Sequence, residues 1–181
     1  MTGIRNFSVE ETLKNGLRVT IRAIRPEDRA AFHAAFNGLD ETTIQLRFFG
    51  PKRELTHQEL TQATEVDFVR TVALVICTQD EGGERIIGGG RYIAFGPAEP
   101  PDRAEVAFTV EEDFHGLGIA SRTLRHLAAL ARQQGIAELH AEVLPENKGM
   151  LAVFQRSGFP VRQEYADGVV HVTLTLAGVK P

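Results

Sequence analysis

The sequence predicts an α/β fold, with a mixed and mostly antiparallel central sheet flanked by helices. Three observations carry this. Val106, Phe108 and Val110 alternate with Glu105, Ala107 and Thr109, the period of a half-buried strand. Leu124, Leu127, Ala128 and Ala131 then recur at helical spacing, with Arg122, Arg125 and Arg132 mostly on the opposite face. Near the end, Val161 to Tyr165 and Val169 to Leu176 flank Asp167-Gly168, which signals a closing hairpin.

The remaining elements follow in order. Residues 1–9 read as a loose leader. Thr12 to Val19 looks like a short hairpin around Asn15-Gly16, a turn expected to hold both residues at positive φ. Val19 and Ile21, between Arg18, Thr20 and Arg22, give a first full strand. Pro26 suits the first turn of a helix, with Glu27 and Asp28 at its positive end. Ala30, Ala31, Ala34 and Ala35 favour that helix, Phe32 and Phe36 form an i,i+4 pair, and Asn37-Gly38 ends it. A second helix covers Glu41 to Arg47. Thr56-His57-Gln58-Glu59 is a capping box opening a third, which ends near Ala63.

Thr71 to Thr78 is almost wholly apolar, as in a central strand. Asp80 to Glu84 turns the chain into Ile86 to Phe95, a strand carrying Gly88-Gly89-Gly90. That run marks a bulge, a close approach of a ligand or a tight bend. A proline-rich loop, 96–101, leads to the strand at Ala104–Val110. After the long helix, Glu138 to Leu144 is a strand with Leu139, Ala141 and Val143 on one face, and Asn147 opens a helix to Arg156, stopped by Gly158. The expected division is a leader and hairpin start at 1–16 and one domain at 17–181.

The chain has 181 residues, 43% hydrophobic and 24% charged, the proportions of a globular domain with a sizeable core. A net charge of −4 points away from nucleic acid and from anionic membrane surfaces. No apolar run reaches the ~18 residues of a membrane span, and the N-terminus lacks a signal-like core, so the cytoplasm is expected. The single cysteine, Cys77, sits in an apolar run and reads as a buried thiol rather than a nucleophile. The six histidines are scattered, and no metal site is expected.

The chemistry centres on His115-Gly116-Leu117-Gly118-Ile119-Ala120, between the strand and the long helix. Glycines let backbone approach a ligand closely. The first amides of a helix have no internal partner and carry partial positive charge, so such a loop suits a phosphate or pyrophosphate. The dinucleotide-binding fingerprint does not fit: Ser121 stands where its third glycine should, and Glu111 to His115 intervene after the strand. No Gly-Lys-Ser/Thr follows, which excludes a Walker loop.

His115, Gly118 and Ala120 resemble motif A of the GNAT superfamily of N-acetyltransferases, Gln/Arg-x-x-Gly-x-Gly/Ala, with His in the first position. Asn147, Met150, Gly158 and Phe159 resemble that family's Asn-x-x-Ala…Gly-Phe helix, with Met for Ala. Ile24 to Asp28, Leu46 to Pro51 and Val143 to Asn147 look like the acetyltransferase domain of bacterial protein-lysine acetyltransferases that modify acyl-CoA synthetases. The resemblance spans roughly residues 17 to 165 and implies a GNAT-like fold with acetyl-CoA as co-substrate.

On this resemblance, Glu105 is the candidate general base, with Glu142 and His140 weaker candidates. Backbone groups of Phe108, Thr109 and Val110 are expected to pair with the pantetheine arm. The amides of His115, Gly116, Leu117, Gly118, Ile119, Ala120 and Ser121 are expected to take the pyrophosphate, and Asn147 to contact the CoA arm or cap its helix. Arg47, Phe48 and Phe49 lie near the acceptor site, or simply pack and pair. The tyrosine many members use as general acid is replaced by Phe154, leaving the Tyr165 hydroxyl or water. The implied acceptor is a protein lysine, such as one on an acyl-CoA synthetase; a small amine and a non-catalytic acyl-CoA sensor are the alternatives. The protein acetyltransferases it resembles often carry a large further domain, for which this chain has no room. A monomer or homodimer is expected.

Overall fold

The computed structural model describes residues 3–50, 52 and 54–177. Met1 and Thr2 of the expected leader, Pro51 of the Leu46–Pro51 run and residues 178–181 of the expected domain lie outside them. Eight strands form one sheet: β1 (Ser8–Thr12), β2 (Arg18–Ala23), β3 (Thr71–Asp80), β4 (Gly83–Phe95), β5 (Arg103–Val110), β6 (Glu138–Val143), β7 (Val161–Ala166) and β8 (Val169–Thr175). Their order is β1-β2-β3-β4-β5-β6-β8-β7. Every pairing is antiparallel except β5 with β6. The described residues also form five α-helices: α1 (Arg29–Asn37), α2 (Glu41–Phe48), α3 (His57–Thr64), α4 (Ile119–Gln133) and α5 (Lys148–Gln155). This is the mixed α/β architecture expected.

The start of the chain departs from the reading as a leader. Ile4–Asn6 make a 3-10 turn, and Ser8 already pairs with Arg22, so the first hairpin begins well before Thr12. Its turn also differs. Gly16 alone is at positive φ (+87°), while the Asn15 side chain accepts from the Leu17 amide at 3.0 Å. The loop is three residues long, closed by Leu13 N–H to Leu17 O at 2.8 Å, a type I turn finished by a left-handed glycine. At Asp167-Gly168 both residues do have positive φ, and the hairpin is the tight two-residue kind.

The two faces of the sheet carry different helices. On β5, Val106 and Phe108 point to the α4 side, where Leu124, Leu127, Ala128 and Ala131 are buried. Glu105, Ala107 and Thr109 point to the other side, toward α1 to α3. β3 is buried over most of its length, as its composition requires. The glycine run of β4 answers to packing. A register shift leaves Ile87 as an extra residue opposite Ile76 and Cys77, a bulge. A Cβ on Gly90 would lie 2.7 Å from Phe108 Cδ1 and 2.8 Å from Thr123 Cγ2, so a glycine is what lets α4 settle onto the sheet.

Candidate functional site

The site is built where β5 and β6 part. β5 pairs with β4 along its whole length, Arg103–Phe95 to Val110–Gly88. With β6 it pairs only at Arg103, Ala104 and Glu105. Beyond Glu105 the two strands diverge and a cleft of about 560 Å³ opens between them. Phe108, Val110, Ala141, Val143 and α5 line it.

Parity decides which backbone groups face this opening. The Glu111 amide donates to Ile87 O at 2.9 Å, so odd-numbered residues of β5 bond toward β4. Ala137 N–H donates to Asp102 O at 2.7 Å, so even-numbered ones face β6. Phe108 therefore turns its backbone N–H and C=O into the cleft, and Val110 its N–H, its carbonyl being held by the His115 ring. The backbone of Thr109, expected to join them, is directed at Gly89 on β4, and Thr109 reaches the cleft only through its side chain.

The glycine loop closes one end. Gly116 (φ +78°) and Gly118 (φ +89°) hold left-handed conformations, and Gly118 caps α4. Arg122 N–H to Gly118 O, 3.1 Å, is the first bond of the helix. Among the described residues, the amides of 116–121 donate to no backbone acceptor, leaving a nest of free N–H groups at the positive end of a 15-residue helix. His115, where the family pattern has Gln or Arg, ties the loop back to β5. Its Nε2 lies 2.7 Å from Val110 O; a carbonyl can only accept, so Nε2 carries the proton. Lys14, at the first hairpin tip, and Arg122 both flank Gly118. Leu117 alone of the predicted loop residues packs its side chain on the core instead of lining the cleft.

Asn147 caps α5, its Oδ1 accepting from Met150 N–H at 3.2 Å, and it also lines the cleft. Phe154 is buried and packs on Phe108, ring centroids 6.2 Å apart, so the cleft wall there is hydrocarbon. Tyr165 does not supply the missing hydroxyl. It is 70% exposed on β7, the far edge strand, and does not line the cleft. Of the weaker base candidates, Glu142 lines the cleft, whereas His140 is turned to Glu138 (3.0 Å) and the Phe95 ring.

Glu105 lines the cleft at the last rung of the β5–β6 ladder. Its side is shared by a second, mostly apolar cavity of about 280 Å³ between the sheet and α1 to α3. Arg47, Phe48, Ala107 and Thr109 line both cavities and form their junction. Phe48 and Phe49 are exposed at the rim, and the Arg47 guanidinium lies 5.0 Å from the Phe48 ring centroid. Lys14 and Arg91 were not among the residues singled out from sequence. The signal for Arg91 is a cation within the apolar second half of β4, in register with Ala107; Lys14 has none, because its place depends on where the hairpin tip lands. Among the described residues, no group of three His, Cys, Asp or Glu is disposed to hold a metal, and no helix is long and apolar enough to cross a membrane.

Comparison with known proteins points the same way. The family model described as an acetyltransferase (GNAT) domain matches residues 18–160. Acetyltransferase PA5475 of Pseudomonas aeruginosa is 29% identical over 163 residues, 89% of this chain and 86% of that protein. The solved GNAT domain of S. lividans PAT is 34% identical and superposes with a TM-score of 0.84, over 93% of this chain and 96% of that one. YncA, a putative acetyltransferase from Salmonella typhimurium solved with its cofactor acetyl-CoA, shares the fold at 18% identity, with a TM-score of 0.68 over 90% of this chain and 96% of that one.

Proposed function

The chain belongs to the GNAT acetyltransferase family, and from that premise we propose that the amine it acetylates is a protein lysine, with Glu105 as general base. As an N-acetyltransferase of this family it takes its acetyl group from acetyl-CoA. The observation that carries the proposal is the position of Glu105: it stands where the β5–β6 ladder ends, at the junction of the cleft with the α1–α3 side.

The cofactor fits the cleft by its chemistry. A pantetheine arm has amide groups that add to Phe108 and Val110 as a further strand would. Its pyrophosphate meets the free amides of 116–121, with Lys14 and Arg122 adding positive charge. Asn147 borders the same path while holding the start of α5. The thioester then lies near the last β5–β6 rung, beside Glu105.

Transfer makes two demands. A lysine ammonium has a pKa near 10.4, so presenting the free amine at pH 7 costs roughly 4.6 kcal/mol. Glu105 takes that proton, directly or through a water. The amine nitrogen attacks the thioester carbonyl, and backbone N–H groups stabilise the tetrahedral oxyanion. The carbon–sulfur bond then breaks. With Phe154 buried at this wall, the thiolate leaves without a side-chain donor, which a thiol of pKa ~8.5 allows. No covalent acyl-enzyme is needed, in keeping with a buried Cys77 outside the site.

The exposed Phe48 and Phe49 at the rim favour an acceptor presented on a protein surface. We place the acetyltransferase domain at 17–181, with residues 1–16 adding the edge strand, and the reaction in the cytoplasm. The test is thiol release from acetyl-CoA with an acyl-CoA synthetase and a panel of free amines as acceptors, with acetyl-lysine on the synthetase read by mass spectrometry. Acetylated lysine is the expected result. Tight acetyl-CoA binding with no release on any acceptor would leave a cofactor sensor instead.

A further inference from the structure

Two guanidinium groups line the apolar cavity on the Glu105 side of the sheet without an anion of their own. Arg91 on β4 is in register with Ala107 and Ile93 with Glu105, so Arg91 is a diagonal same-face neighbour of Glu105. Arg47 comes from α2 to the junction and lines both cavities, while Arg91 lines the apolar one. Among the described residues neither arginine makes an ion pair or a hydrogen bond; Arg47 has only the Phe48 ring. The two carboxylates of the apolar cavity are already taken, Glu111 by Arg85 at 2.5 Å and Glu59 by Lys52 at 2.7 Å. Two cations therefore face one carboxylate, Glu105, and that one is assigned to the proton. Burial, and then the like charge of Arg91, push Arg47 down to about 10, with Glu105 opposing; it stays cationic at neutral pH. Burial lowers Arg91 too. Half-buried charge left unpaired is costly, and a planar anion bound bidentately recovers that cost.

We propose that Arg47 and Arg91 form the acceptor's anion site: the amine acetylated here carries a carboxylate, gripped by the two guanidiniums while the amine points at Glu105. The carboxylate comes from one of two sources, an acidic residue beside a protein lysine or the acid group of a free amino acid. This rests on the transfer reading above and narrows its substrate class.

The experiment pairs acids with their amides. One arm uses free lysine, ornithine and glutamate beside their carboxamides. The other uses a blocked lysine peptide flanked by Asp beside the same peptide flanked by Asn. Affinity is measured by calorimetry on the CoA-bound protein, and transfer by thiol release, for wild type, Arg47→Gln, Arg91→Gln and the two Arg→Lys variants. In at least one arm the acid should bind about tenfold or more tighter than its amide, the worth of a charge-assisted hydrogen bond. Each Gln variant should erase the preference, and each Lys variant should restore part of it. Retained acetyl-CoA binding shows that the variants are folded. Equal binding of acids and amides in both arms, or a preference that survives both Gln substitutions, overturns the proposal. Acid preference without transfer leaves the anion site standing and removes the enzyme reading. Transfer without acid preference does the reverse.

Discussion

Cys77 shows how a single side chain can be read correctly from its neighbours. It lies in an apolar run, is 2% exposed on β3, and burial pushes its thiol up to about 11. A thiol raised that far stays protonated, and so unreactive, throughout the neutral range. Iodoacetamide at pH 8 should leave the native protein unlabelled and its activity intact, and should label Cys77 only once denaturant is added; rapid labelling of the folded protein would contradict this. Other residues were legible only in part. Asn147 was expected as cap or ligand contact, and the cap is visible. The His115 ring bond to Val110 O joins two segments whose approach no local pattern encodes. Arg91 and Lys14 enter the site only because register and hairpin length bring them there.

At the scale of elements, period and capping signals located the helices and strands well. Thr56 caps α3 with the reciprocal Glu59 bond, and β3 is central and buried as its composition demanded. The strand–loop–helix at 104–131 was legible because its apolar periods change from two to about 3.6 across two glycines. Where β5 and β6 part was not legible, since a ladder that stops after three rungs leaves no trace in either strand alone. The start of β1 was missed for a related reason: Ser8–Thr12 is polar and half exposed, and only pairing to β2 makes it a strand. The glycine run of β4 was open between a bulge, a ligand's close approach and a tight bend; the register shift shows the bulge, and Gly90 is pressed against Phe108 and Thr123. Gly90→Ala should therefore destabilise by about 1–3 kcal/mol, the usual cost of overpacking. Chemical denaturation would show a lower midpoint with an unchanged m-value; a variant as stable as wild type would mean α4 can give way.

Across the whole molecule, one buried charge cluster ties the first hairpin to the rest of the sheet. Arg22 on β2 grips Asp28 with two bonds of 2.8 Å and reaches Glu84, at the start of β4, at 2.6 Å. Burial alone would push the Asp28 carboxyl up; the Arg22 fork, the Arg25 amide and the charges of both arginines outweigh it and hold it low. A carboxyl whose folded pKa is depressed stabilises above its unfolded value, near 3.9, and that stability is lost as pH falls through the folded pKa. Asp28→Ala should cost about 3 kcal/mol at pH 7, because it strips the buried Arg22 of its two-bond partner and leaves it only the Glu84 contact. The deficit should begin to shrink as pH falls below about 4, where the unfolded chain takes up its proton, and go on shrinking through the lower folded pKa; melting curves across that range would show it, and a pH-independent deficit would contradict it. The proposed chemistry turns on Glu105 at the end of the β5–β6 ladder. Its most direct test is the pH profile of kcat/KM for the amine, wild type beside Glu105→Gln. At pH 7 the variant should be at least about tenfold slower with the KM for acetyl-CoA unchanged, and its rate should climb about tenfold per pH unit toward the amine pKa, as the solvent replaces the base. Superimposable profiles would contradict the account and leave Glu105 a surface carboxylate.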